Sequence, residues 1–110
     1  MKLITQIIAI IAVIWVLTFT FERPSPHTTL YFTASWCGPC QIVKPNIEVL
    51  IKRGHDIRVV DIDENQKLSR YWRVTSVPTF VVLKEEDGKF KEVRRASGVL
   101  SVKGLEGLIK

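Results

Sequence analysis

From residue 3 to residue 21 the chain reads LITQIIAIIAVIWVLTFTF, with no charge and only Thr5, Gln6, Thr18 and Thr20 polar. No polar stripe recurs at the helical period, so the segment is hydrophobic all round rather than amphipathic. As a helix it would rise about 28 Å, close to the ~30 Å hydrocarbon core of a bilayer. A cleavable signal peptide has a shorter apolar region, roughly 7–15 residues, and ends at a small-x-small site. This run is longer and ends in Thr-Phe-Thr-Phe-Glu. A buried core helix is the other alternative, but a remainder of about 85 residues has little room to wrap one. The pattern therefore predicts an uncleaved transmembrane helix over residues 1–21. Lys2 and the α-amine precede it, while Glu22 and Arg23 nearly cancel after it. The excess of positive charge predicts a cytoplasmic N-terminus, with the rest of the chain on the opposite side of a membrane.

The pattern then changes. Residues 22–28, with two prolines, predict an extended, semi-rigid linker. Residues 29–110 alternate between strand-like and helix-like runs. TLYFTA (29–34) is apolar through its middle, as a buried strand requires. From Pro39 to Arg53 the spacing of Ile42, Val43, Ile47, Leu50 and Ile51 follows a helix, with Gly54 placed to end it and Pro45 to kink it. IRVVDI (57–62) predicts a second strand and ENQKLSRYW (64–72) a short helix. TFVVLK (79–84) and FKEVRRA (90–96) predict two strands joined through Gly88. Ser101 is a candidate N-cap for a final helix through Leu108 and Ile109, weakened by Gly104 and Gly107. The order is β-α-β-α-β-β-α after the apolar segment, in one domain.

Charge changes this picture little. Removing Lys2 from the 16 basic residues leaves 15 against 11 acidic ones, and the two signs are interspersed. No basic-aromatic motif accompanies them, which argues against nucleic-acid binding. His27 and His55 stand alone and read as solvated.

The chemistry centres on TASWCGPCQIVKP (33–45), which holds both cysteines, Cys37 and Cys40. A structural zinc site needs four ligands, and the chain has no second C-x-x-C. A purely structural disulfide would close a loop too small to stabilise much, and an iron–sulfur cluster bridging two chains is the remaining rival. A redox dithiol fits best, because the pair falls where a buried strand ends and a helix begins. A helix N-terminus carries partial positive charge and unpaired N–H groups, which favour a thiolate. On this reading Cys37 precedes the first turn and faces solvent, and Cys40 lies one turn in, nearer the core. Pro39 suits the first turn, where no N–H is needed.

These residues resemble the thioredoxin family. ASWCGPC is similar to its active-site signature, and Pro45 matches its helix kink. VVDIDEN (59–65) resembles its central strand and turn, VTSVPTF (74–80) its cis-proline segment, and SGVLSVKGLEGLI (97–109) its last strand-to-helix corner, with Gly98 at the glycine position. The resemblance covers residues 29–109. It implies an α/β thioredoxin-like fold, a central mixed four-stranded sheet flanked by helices, here preceded by the N-terminal transmembrane helix. It also implies a protein-disulfide reductase in which Cys37 attacks a substrate disulfide and Cys40 resolves the mixed disulfide. Trp36, Gly38, Pro39 and Pro78 would support the site, and Trp36 and the Val77-Pro78 edge would hold the substrate. The implied partners are protein disulfides and an upstream thiol–disulfide electron donor, with no cofactor and no metal.

The chain also departs from the family. A strand and helix that usually precede the cysteine strand are replaced by the apolar segment and linker. The buried aspartate that accepts the second cysteine's proton is replaced by Tyr31, and Val59 stands near the position of its lysine partner. Gly38-Pro39 resembles reducing members, with potentials near about −270 mV. The reading is a membrane-tethered reductase. A disulfide oxidase or isomerase of an exported compartment, and a redox-inactive peptide-binding module docking at Val77-Pro78, are the alternatives.

Overall fold

A computed structural model of the protein describes residues 2–19 and 27–110. The apolar run forms helix α1, Lys2–Phe19. Its large apolar side chains from Leu3 to Val16 are exposed on every side of the helix. Among the described residues no helix is long and apolar enough to cross a membrane. The described helix runs to Phe19, and its 18 residues rise about 27 Å beside the ~30 Å of a hydrocarbon core; positions 20 and 21 of the expected span lie outside the described residues. Most of the predicted linker lies outside the described residues. Its last two positions, His27 and Thr28, belong to a strand instead.

That strand is β1, His27–Thr33. It begins earlier than its apolar run because Thr28 pairs with Leu83 and its hydroxyl donates to Asp56 Oδ2 at 2.8 Å. Then follow α2 (Gly38–Lys52), β2 (Ile57–Asp61), α3 (Gln66–Tyr71), β3 (Thr79–Glu86), β4 (Lys89–Ser97) and α4 (Val102–Ile109). The sheet is four-stranded and mixed, in the order β2-β1-β3-β4. β1 runs parallel to β2 and antiparallel to β3, which is antiparallel to β4. A register shift between Val82 and Leu83 marks a bulge in the last pairing.

Alternation along the central strands builds two cores. On one face Tyr31 and Phe80 pack with Val43, Ile47 and Leu50 of α2 and with Leu105 and Ile109 of α4. On the other, Leu30, Phe32, Val60, Val81 and Leu83 are covered partly by Ile62, Trp72, Val74 and Val77. Local signals set the ends of the helices. Gly54 takes φ +92° after α2, a conformation that costs a glycine little. Ser101 caps α4 by accepting from Gly104 N–H at 3.1 Å. α2 continues through Pro45, and Asn46 ties it to the corner before α4 by donating to the Leu100 carbonyl at 2.9 Å.

One central residue is poorly matched to its place. Thr29 is fully buried and its hydroxyl has no hydrogen-bond partner. An unsatisfied buried hydroxyl costs about 1–3 kcal/mol, and replacing it by a methyl of the same shape removes that cost. Thr29→Val should therefore raise stability by about 1 kcal/mol. In a urea titration the midpoint should rise with the slope unchanged. A lower midpoint would mean that the hydroxyl is satisfied by water.

Candidate active site

The site forms where β1 hands over to α2. The chain turns at residues 34–37, closed by Cys37 N–H donating to the Ala34 carbonyl at 3.2 Å. Cys37 has extended backbone and caps α2: its Sγ accepts from the Cys40 N–H at 3.1 Å. Cys37 and Cys40 form a disulfide, with their Cα atoms 5.2 Å apart. Pro39 stands in the first turn of the helix, where its missing N–H leaves no bond unmade. The sulfur of Cys37 thus accepts an N–H that has no partner within the helix, at the positive end of a helix dipole.

Cys37 does not face solvent as the sequence suggests. It is 4% exposed and Cys40 1%, and both pack with Ala34, Ile62 and Val77. Position in the turn was read as exposure, but the loop before β3 comes over the sulfur. Cys37 Sγ lies 3.6 Å from the Val77 carbonyl oxygen. Around it Ser35, Trp36, Gly38 and Pro39 are all exposed.

The Val77–Pro78 peptide is cis. Pro78 is fully buried while Val77 is only half-buried, so the edge beside the cysteine is offered by Val77 and its backbone, with the proline ring beneath. Two contacts hold this loop. The Thr79 hydroxyl donates to the Ser76 carbonyl at 2.7 Å, which leaves the Ser97 hydroxyl, 2.9 Å away, to donate to Thr79. Gly98, at φ +95°, donates its N–H to the Pro78 carbonyl at 2.9 Å.

Trp36 is 66% exposed, and its Nε1 donates to Asp63 Oδ2 at 2.9 Å. Asp63 is placed by Asp61, whose Oδ1 accepts from the Asp63 N–H at 2.8 Å. The sequence reading missed this link. The D-x-D spacing of Asp61 and Asp63 is a signal for such a turn, though it does not point to Trp36.

Beneath the pair lies Tyr31. It is buried, stacks on Phe80 with ring centroids 5.1 Å apart, and its hydroxyl lies 3.3 Å from both the Cys40 carbonyl and Thr33 Oγ1. Burial raises its pKa above 10.0, with the Thr33 bond opposing in part, so it is a neutral phenol at physiological pH. Val59 is its cross-strand partner on β2. Both line an open cavity of about 390 Å³ that also reaches Cys40, Lys44, Glu48 and Asp61. α2 thus contributes an exposed lysine to the lining of this cavity. Lys44 and Glu48 stand four apart on one helix face, a spacing legible in sequence, but nothing there points that face at Cys40. Among the described residues no cluster of His, Cys, Asp or Glu could hold a metal ion.

A C-x-x-C disulfide at a helix N-terminus, beside a cis-proline loop at the end of a mixed sheet, defines the class of thioredoxin-like dithiol–disulfide proteins. A family model described as Thioredoxin matches residues 20–110, and the chain belongs to the thioredoxin family. It is similar to thioredoxin H2 of Arabidopsis thaliana, 38% identical over 61% of this chain and 49% of the relative. It is likewise similar to an H-type thioredoxin of Nicotiana tabacum, 46% identical over 61% of this chain and 52% of the relative. The chain thus spans about half the length of these curated relatives. Among solved structures, thioredoxin from Fasciola hepatica superposes with a TM-score of 0.66 at 37% identity, covering 76% of this chain and 79% of that one.

Proposed function

We propose that the chain is a protein-disulfide reductase held at a membrane by α1. The observation that carries the reductase reading is the Cys37–Cys40 disulfide at the α2 N-terminus, with Cys37 Sγ beside the exposed Trp36 and the Val77 edge. In the reduced protein the Cys37 thiolate attacks one sulfur of a substrate disulfide. A mixed disulfide forms and the other substrate sulfur leaves as a thiolate. Cys40, deprotonated, then attacks Cys37 Sγ. This releases the second substrate thiolate and leaves the Cys37–Cys40 disulfide, two electrons having passed to the substrate. A dithiol donor upstream restores the pair. Trp36 and the Val77 backbone position the substrate chain, Gly38 and Pro39 shape the turn, and Pro78 supports the Val77 edge from below.

The tether is supported by a helix whose apolar side chains are exposed all round and whose single charge, Lys2, sits at its start. A helix a few ångströms short of the hydrocarbon thickness is accommodated by local thinning and by lysine snorkelling. Lys2 then marks the cytoplasmic side and the domain stands opposite.

Three measurements test this reading. The full chain should accelerate insulin reduction by dithiothreitol, and its Cys37–Cys40 couple should lie near about −270 mV. A potential near about −120 mV would make it an oxidase instead, and absence of turnover would leave a binding module. The chain should also resist alkaline carbonate extraction from membranes; recovery in the soluble fraction overturns the tether without touching the reductase reading.

A further inference from the structure

On the sheet face opposite α2 and α4, the six-residue α3 leaves a groove of about 700 Å³. Its floor is Leu30, Val60 and Leu83, and its walls carry Tyr71, Trp72 and Phe90. We propose that this groove seats the domain on the anionic headgroups of the membrane that holds α1. The inference rests on the tether argued above.

Position is the first argument. The groove is lined by Thr28, one residue after the start of β1, whereas Cys37 follows the far end of that strand. The groove therefore lies at the pole where the chain arrives from α1. Residues 20–26 connect the two, and seven residues reach at most about 25 Å even when fully extended. A domain on so short a connection keeps this pole at the bilayer surface.

Chemistry is the second argument. Tyr71 is 73% exposed and Phe90 46%, an unfavourable placement in water but the expected one at the headgroup level, where aromatic side chains with polar ends collect. The charged groups lining the groove are Arg58 and Lys89, with no carboxylate among them. Asp56 lies 3.8 Å from Arg58, and Glu86 of the adjoining turn is occupied by Lys84 at 3.4 Å. A basic rim around aromatic walls complements a surface of negative headgroups over an apolar interior. Docked this way, the domain would point Cys37 away from the lipid, toward substrates in the aqueous phase.

The test uses the full chain reconstituted into vesicles of phosphatidylcholine alone and of phosphatidylcholine mixed with phosphatidylglycerol, at low salt. Flotation reports the tether and amide hydrogen exchange reports the groove. The chain should float with both vesicles. Amides in 70–73 and 88–91 should exchange several-fold more slowly on the anionic vesicles than on the neutral ones. High salt should abolish the difference, since it screens the headgroup field. The Arg58→Glu/Lys89→Glu double variant should abolish it too, while still floating. The Tyr71→Ser/Phe90→Ser variant, altered only at exposed positions, should weaken the protection at low salt. Flotation with equal exchange on both vesicles overturns the docking alone. Failure to float with either overturns the tether and the docking together. Protection already present in detergent overturns it as well, assigning the groove to a second copy if it depends on protein concentration and to α1 if it does not.

Discussion

Cys37→Ser should abolish turnover, on the order of 10³-fold or more, because it removes the attacking thiolate and a serine hydroxyl does not ionise near neutral pH. The remaining thiol, Cys40, lies inside the helix at 1% exposure and is not the sulfur set beside the Val77 edge. Cys40→Ser fails differently. Cys37 still attacks, but nothing resolves the product, so a mixed disulfide accumulates and turnover stops after one event. Gel shifts under non-reducing conditions separate the two outcomes. In the reduced wild-type protein, Cys37, which caps the helix, should be alkylated much faster than Cys40. Equal alkylation rates, or a trapped complex through Cys40 in Cys37→Ser, would reverse the assignment.

Tyr31→Asp should couple a loss of stability to a gain in rate. Resolution requires Cys40 to lose its proton, and a carboxylate below the pair can take it. The phenol of Tyr31 cannot, since burial holds its pKa above 10.0; it can only hydrogen-bond or relay through water entering the cavity it shares with Cys40 and Lys44. A carboxylate at position 31 would share that cavity with the Lys44 ammonium. Turnover near neutral pH should rise, and the alkaline rise in rate expected of the wild type should flatten. The cost is removal of an aromatic ring stacked on Phe80, about 3 kcal/mol or more, as for other large core deletions, plus the burial of a charge. A folded variant with an unchanged pH profile would show that cavity water already accepts the proton. Tyr31→Phe isolates the hydroxyl. With its folded pKa above the unfolded value, Tyr31 contributes stability that is fully present below about pH 10 and lost as pH rises through the folded pKa. The phenylalanine variant should lack that alkaline loss.

Much of this architecture is legible in the sequence because it depends on local patterns. The run around Leu30 to Thr33, the helical spacing of Val43, Ile47 and Leu50, Gly88 in its turn and Ser101 as a cap each announce an element within a few residues. The Cys37–Cys40 pair is legible for the same reason. What escaped depends on contacts between distant segments. Cys37 is buried by Val77, forty residues on; Trp36 is held by Asp63; Lys44 is brought into the cavity by the packing of α2 on β1 and β2. No window along the chain contains both members of such pairs.

The pairing of β1 with β3 at the centre of the sheet has a consequence for how the chain folds. Phe32 lies opposite Thr79, so residues 33–78 must be gathered into one loop before the two middle strands meet. Closing that loop costs entropy that neither strand recovers until the pairing forms, and folds dominated by such distant pairings fold slowly. The β3–β4 hairpin, by contrast, closes over Asp87 and Gly88 alone. Refolding should therefore be limited by the approach of β1 to a hairpin already formed. During synthesis the apolar faces of β1 and α2 must wait, unprotected, until residues 79–86 have left the ribosome.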